Sequence, residues 1–159
     1  MLSVLVVDDD MDTREKVARF AKRLGHIVYT AKNGEEGYEL YINKLPHVVF
    51  ADLEMPVMSG LEMCKLIKYE KNDAKIYIMT AHQSPEYMLA SIKLSVQDFI
   101  LKPIDANIII TILKKEDMRR NVVNLTNNII YSYESKMLKN TNTYAQLTNN
   151  EINLLELML

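Results

Sequence analysis

The 159-residue chain has one cysteine and no tryptophan. A lone thiol cannot close an intramolecular disulfide, and Cys64 falls on the apolar face of an expected helix, where cysteine is usually a small core residue. No apolar run approaches the roughly 20 residues that span a bilayer. The opening MLSVLVVDDD has no basic n-region and meets three aspartates too early for a signal peptide, so a cytoplasmic location is expected. Positive charge is not in excess either: 19 Lys and Arg stand against 21 Asp and Glu, and a net charge of −2 gives the chain as a whole no electrostatic case for nucleic acid. The three histidines, His26, His47 and His82, lie in separate segments without ligand spacing, which argues against zinc. What is present is a hydrophobic fraction of 48%, enough for the core of one ordinary domain with some chain left over.

That core is organised around DLEMPVMSG, residues 52–60. Val48, Val49 and Phe50 read as a buried strand delivering Asp52 to the edge of a sheet. Pro56 fixes its own φ and biases Met55 away from helix, so the loop stays open and Asp52 is expected to be displayed. Ser59 and Gly60 then lead into a helix with Leu61, Cys64 and Ile67 on one face. The same pattern recurs along the chain. Residues 2–7 are an apolar run ending in Asp8, Asp9 and Asp10. Asp12 with Glu15 predicts a capped helix that buries Val17, Phe20, Ala21 and Leu24 and stops at Gly25. A strand over 26–30 and a helix opened by Asn33 and Glu36 follow, the helix turning Gly37, Leu40 and Tyr41 inward. Then come the strand KIYIMT ending at Thr80, a helix over about 85–94, the strand DFIL, and a helix from Ala106.

Five alternations of strand and helix predict an α/β fold, a doubly wound parallel sheet with helices on both faces, because each crossover between parallel strands needs a dozen or more residues. Ligands of such sheets bind beyond the carboxyl ends of the strands, where the strand order reverses. The residues at those ends are Asp8, Asp9, Asp52, Thr80 and Lys102. Two unit charges about 4 Å apart repel by roughly 4 kcal/mol at an effective dielectric of 20, so three carboxylates need a cation. Hard oxygens with room for water suit Mg²⁺. A metal there leaves one carboxylate able to attack phosphorus, with Lys102 and Thr80 placed to hold phosphoryl oxygens, and the expected product is an aspartyl phosphate.

Together the motifs V-D-D at residues 7–9, D-x-x-M-P-x-M-x-G at 52–60, T-A at 80–81 and K-P at 102–103 resemble the receiver domains of two-component response regulators, over about residues 1–118. The resemblance implies a flavodoxin-like five-stranded sheet in the order 2-1-3-4-5. It also implies that Asp52 takes its phosphoryl group from a phosphohistidine on a sensor histidine kinase. Mg²⁺ would be held by Asp9, Asp52 and the backbone carbonyl of Glu54, with Asp8 acting largely through water. Thr80 and Lys102 would sense the phosphoryl group, Phe99 would be the aromatic switch, and the peptide bond before Pro103 would be cis. By the same resemblance the chain would be no enzyme beyond its own phosphotransfer and dephosphorylation, and a homodimer is expected on phosphorylation. Asp10 is expected to be a solvated neighbour of the site. Ser95, Val96 and Gln97 stand where relatives commonly have Gly-Ala-Asp, and Ile104 replaces a common Phe; both departures bear on the surface through which relatives dimerise. A phosphatase with an Asp nucleophile would need D-x-D-x-T/V from Asp8, and Asp12 occupies the Thr/Val position.

Beyond residue 120 the composition shifts: the last 39 residues hold nine of the thirteen asparagines and no glycine or proline. Residues 1–120 are read as the receiver, and 121–159 as a linker with the opening of an effector domain. IIYSY at 129–133 alternates like a strand, and Thr148 with Glu151 caps a helix carrying Ile152, Leu155 and Met158. LTNNEINLLELML resembles the first helix of an OmpR-type winged-helix domain. The chain stops at Leu159, before any recognition helix, so DNA would be bound only through a complete effector domain. The tail's apolar residues are expected to lean on the receiver, pair with another copy, or stay disordered. The other reading is a stand-alone receiver that works by phosphorylation-dependent protein contact.

Overall fold

The computed structural model describes residues 1–159 apart from 72, 82–88, 90, 91, 121, 127, 128, 133–135, 140–143 and 159. The chain divides into two compact units, Met1–Leu113 and Lys114–Leu159. In the first, β1 (Ser3–Val7), β2 (Ile27–Ala31), β3 (Val48–Asp52), β4 (Lys75–Thr80) and β5 (Asp98–Leu101) form one sheet in the order β2-β1-β3-β4-β5. Every pairing is parallel, as the expected sheet requires. The crossovers carry α1 (Met11–Arg23), α2 (Gly34–Lys44) and α3 (Gly60–Glu70), and α4 (Ala106–Arg120) follows β5. The helix expected over about 85–94, like His82, lies largely outside the described residues.

Two cores form because successive strand residues point to opposite faces of the sheet. Val4 and Val6 of β1 and Val48 and Phe50 of β3 pack under α1, through Val17 and Ala21, and under the first half of α4, through Ile109, Ile112 and Leu113. Leu5, Val7, Val49 and Ala51 point the other way, against Tyr41 of α2 and Met63, Cys64 and Ile67 of α3. All five residues of β1 and all five of β3 are buried. Each fully buried Val or Ile contributes on the order of 1.5–3 kcal/mol, so these two adjacent strands form a stiff base for whatever follows their last residues.

The ends of the elements show where local chemistry departs from the simplest pattern. Asp10, not Asp12, caps α1, its carboxylate accepting from the Thr13 N–H at 2.7 Å. Asp12 sits inside the first turn, where a negative charge favours the helix dipole but caps nothing. Asn33 caps α2 as expected, and Ser59 with Glu62 forms a reciprocal capping box on α3. At the opposite end of the sheet, β1 is pinned by two imidazoles: the N–H groups of Leu2 and Ser3 donate to Nδ1 of His26 and of His47, at 3.2 and 2.9 Å.

The second unit differs from expectation. The sequence predicts one strand there, with apolar residues that lean on the receiver, pair with another copy or stay disordered; the structure pairs the segment's strands with each other. Strands β6 (Val122–Thr126), β7 (Ile129–Ser132), β8 (Met137–Lys139) and β9 (Tyr144–Gln146) make an antiparallel sheet in sequence order, and α5 (Asn149–Met158) follows. Short connections between consecutive strands let each pair form locally, at little loop-closure cost. Tyr131 is fully buried, and its hydroxyl donates to Glu156 on α5 at 2.9 Å, where Lys136 also pairs. Among the described residues no helix is long and apolar enough to cross a membrane.

Cys64 is fully buried in the α3 core, and burial pushes its thiol up to about 12. Thiolate is the reactive form, so alkylation must wait for opening of the fold. A maleimide reagent should label Cys64 at least about a hundredfold more slowly in native buffer than in denaturing urea; equal rates would place the thiol outside the core.

Candidate functional site

Strand register builds the site. Val7 lies beside Ala51, so the residues that follow, Asp8 and Asp52, leave the sheet side by side from the adjacent strands β1 and β3. Asp52 in turn pairs with Met79, one residue before Thr80, and Thr80 pairs with Leu101, one residue before Lys102. The expected convergence is therefore produced by parallel strands that stop at the same edge. Carboxylate oxygens of Asp8, Asp9 and Asp52 lie within 4.8 Å of one another.

Lys102 closes over this cluster. Its Nζ donates to Asp52 Oδ2 at 2.7 Å and lies 2.9 Å from Asp8 Oδ2. The Lys102–Pro103 peptide bond is cis, as the resemblance implies. Asp52 is thus not displayed: only 8% of it is exposed, because the ammonium that the sequence reading reserved for a phosphoryl group occupies its open side. Asp8 is 0% exposed, while Asp9 faces solvent. One oxygen of Asp8 accepts from the Asp10 N–H at 3.0 Å. The other is buried and ion-paired with the Lys102 ammonium at 2.9 Å. Asp10 is exposed and works as the cap of α1. Thr80 is buried at the end of β4, and Phe99 is half-buried on β5 against the core shared with α2 and α3.

The loop after Asp52 is held by contacts that leave no room for side chains. A Cβ on Gly60 would stand 1.7 Å from the carbonyl oxygen of Asp52 itself, and one on Gly34 would stand 2.6 Å from that of Met58. Gly60 N–H donates to Leu53 O and Gly34 N–H to Met58 O, so α3 and α2 grip the two ends of the loop. Between them, Met58 N–H bonds back to Pro56 O around Val57, which has φ 70°. A β-branched residue in that tight turn costs on the order of 1–2 kcal/mol. Nothing in the sequence signals it. Beside the loop a cleft of about 440 Å³ opens, lined by Asp9, Leu53, Glu54, Met55, Pro56, Ser59 and Leu61.

Burial and charge set the protonation states. Burial raises the Asp8 carboxyl above its ordinary range, and the neighbouring Asp52 adds to this, while Lys102 opposes both. For Lys102 burial is the largest single effect and pulls downward, but the two carboxylates together outweigh it and the ammonium is held above the usual lysine range. Lys102 is therefore charged throughout the neutral region. The backbone N–H of Thr13 lowers Asp10.

Comparison with known proteins gives this geometry a family. The family model of the response regulator receiver domain matches residues 4–114. The chain belongs to that family. Among curated proteins it is 27% identical over 168 residues to the probable transcriptional regulator ycf27 of Guillardia theta, covering 98% of this chain and 65% of that protein. It is 30% identical over 139 residues to a cyclic di-GMP phosphodiesterase of Thermotoga maritima, covering 87% of this chain and 35% of that one. The chain thus spans between about a third and two thirds of these relatives. Among solved structures, the chemotaxis protein CheY4 of Vibrio cholerae superposes with a TM-score of 0.68 at 26% identity, covering 72% of this chain and 98% of that one.

Receiver domains bind Mg²⁺ at an acidic pocket, and the donors here fit it: three carboxylates that converge within 4.8 Å, all hard oxygens with no soft ligand among them. In the absence of a cation the cluster costs stability. A raised folded value for Asp8 means that its contribution is fully present below its unfolded value and is lost as pH rises through the folded one. With Mg²⁺ chelated at pH 7, Asp8→Asn should therefore raise stability, read as a higher Tm, since Lys102 keeps Asp52 as its partner. The gain should shrink as the pH is lowered toward 4. Thermal melts of the two proteins in EDTA across that range measure this, and a variant less stable at pH 7 would contradict it.

Proposed function

We propose that this chain is the phosphoacceptor part of a two-component response regulator: Asp52 receives a phosphoryl group from the phosphohistidine of a sensor histidine kinase, and the modified receiver switches a transcriptional output. The observation that carries the reading is a carboxylate at the end of the central strand with two more carboxylates within 4.8 Å and an ammonium at 2.7 Å. An oxygen of Asp52 forms the new bond to phosphorus as the N–P bond of the phosphohistidine breaks; the imidazole nitrogen keeps the electron pair and takes a proton from solvent. Asp9, Asp52 and the carbonyl of Glu54 are the proposed Mg²⁺ ligands, with Asp8 acting largely through water. When bound, the cation supplies the positive charge that offsets an incoming phosphoryl group and its loose transition state.

This chain's own groups then divide the work. Lys102, already a partner of Asp52, transfers its ammonium to a phosphoryl oxygen as the carboxylate becomes an acyl phosphate. The Thr80 hydroxyl donates to another, and Phe99 turns inward from its half-buried place on β5 to report the change. Apolar side chains exposed beyond the site, Leu89, Ile92, Leu101 and Ile108, support homodimerisation on phosphorylation through that side of the receiver.

We read residues 1–120 as the receiver and 121–159 as linker and opening of an OmpR-type winged-helix domain. The likeness to a protein named a transcriptional regulator extends over 98% of the chain, and the tail's sheet leads into α5 with Thr148 and Glu151 capping it. DNA readout then belongs to a complete effector domain, and a cytoplasmic location fits that role. Incubation with a small-molecule phosphodonor and Mg²⁺ should add one phosphoryl group, labile to hydroxylamine, as read by intact mass. Asp52→Asn and chelation of Mg²⁺ should each remove nearly all of it. An unchanged yield in the Asn variant would refute Asp52 as the acceptor.

A further inference from the structure

Two loops must meet for the site to exist, and neither strand register nor the motifs fix the gap between them. One carries Asp8 and Asp9 after β1; the other runs from Lys102 through Pro103 and Ile104 to α4. Asp8 Oδ2 faces Lys102 Nζ across 2.9 Å. The second loop is short of anchors. Lys102 N–H is tied to Thr80 O at 2.9 Å, but Pro103 has no N–H, and the first turn of α4 is served by Asp105, which accepts from Asn107 and Ile108. The carbonyl of Ile104 is taken instead by a side chain 88 residues away: Lys16 of α1 donates to it through Nζ at 2.8 Å. Two residues earlier on the same helix, Arg14 Nη1 donates to the carbonyl of Asp8 at 2.6 Å and approaches that of Asp9 at 3.4 Å. The first turns of α1 therefore hold both loops, one by each cation, while Asp10 at the helix start fixes both the helix cap and the Asp8 carboxylate.

We infer that Lys16 is a positioning residue for Lys102: by holding the Ile104 carbonyl it sets where the ammonium stands relative to Asp8 and Asp52. This rests on the phosphoacceptor reading of Asp52. The competing account is that Lys16 merely satisfies a loop carbonyl and that packing of Ile104, 4% exposed in the core with Val17 and Leu113, places Lys102 without it. The two accounts differ in what the site does when Lys16 is removed. Packing alone would leave Lys102 in place, whereas a tether that is cut lets the loop slide, and a displacement of about 1 Å at a reacting group can cost up to a hundredfold in rate.

The test uses the full chain with a small-molecule phosphodonor, so that no protein docking on α1 enters. In Lys16→Met the phosphorylation rate at saturating donor and Mg²⁺ should fall by about tenfold. The Mg²⁺ concentration giving half the maximal rate should stay within about twofold, because none of the proposed ligands is on the tethered loop. Lys16→Arg, which keeps a donor within reach, should restore most of the rate. Lys22→Met, which removes the same charge from an exposed position of α1, should leave it unchanged. A second readout does not depend on phosphotransfer: the Lys102 ammonium, followed by ¹⁵N NMR in the wild type, should exchange with solvent faster in Lys16→Met. A wild-type rate and an unaltered Lys102 signal in that variant would overturn the inference. A wild-type chain that took up no phosphoryl group would refute the acceptor reading instead, and the Lys102 signal would still decide on Lys16.

Discussion

One ammonium set against three carboxylates is the interaction on which this molecule turns. Asp8, Asp9 and Asp52 are brought within 4.8 Å because β1 and β3 are neighbours that end in step, and Lys102 is the group that stands against Asp8 and Asp52. At such separations each like-charged pair costs several kcal/mol at an effective dielectric of 20, which no single surface interaction offsets. The fold tolerates the arrangement because β1 and β3 are buried on both faces, and their apolar side chains supply stability at a distance from the cluster. A bound cation would relieve the tension already present among the carboxylates. The cluster is suited to a divalent cation because its cation-free state is unfavourable.

The same edge explains why the loop after Asp52 is built from residues that seem costly elsewhere. Gly60 gives up side-chain packing so that the first turn of α3 can press against the carbonyl of Asp52, and Gly34 does the same for α2 and Met58. Val57 accepts a left-handed backbone between them. Both ends of the loop are thus held by a backbone hydrogen bond and a close backbone contact. On the opposite side of the cluster, α1 provides the corresponding restraint through Asp10, Arg14 and Lys16.

Much of this was legible in the sequence because it is local or repetitive. Apolar runs ending in Asp8, Asp52 and Thr80 identify three parallel strands and their edge at once, and Asn33 with Glu36 marks α2 correctly. What was not legible depends on geometry at long range. Asp12 is as good a cap by composition as Asp10; Asp10 has the role because β1 ends early enough for Asp8 to accept its N–H. A proline-held loop suggests an open Asp52, yet Lys102, fifty residues on, closes it. Lys16 reads as one more solvated charge on an amphipathic helix until its partner at Ile104 is seen. The tail misleads for another reason. Strands of three to five residues separated by polar stretches carry too little periodicity to be recognised singly, and become strands by pairing with each other.

The stability of this site depends on whether Lys102 balances the carboxylates. Thermal melts of the wild type and of Lys102→Met, each with Mg²⁺ chelated and with Mg²⁺ at saturation, measure this directly at pH 7. Removing the ammonium leaves buried Asp8 and Asp52 uncompensated, so the variant should lose about 2–4 kcal/mol in EDTA and recover most of that loss when the cation is added. A variant as stable as the wild type in EDTA, or one equally destabilised with and without Mg²⁺, would show that the carboxylates do not need the charge of Lys102.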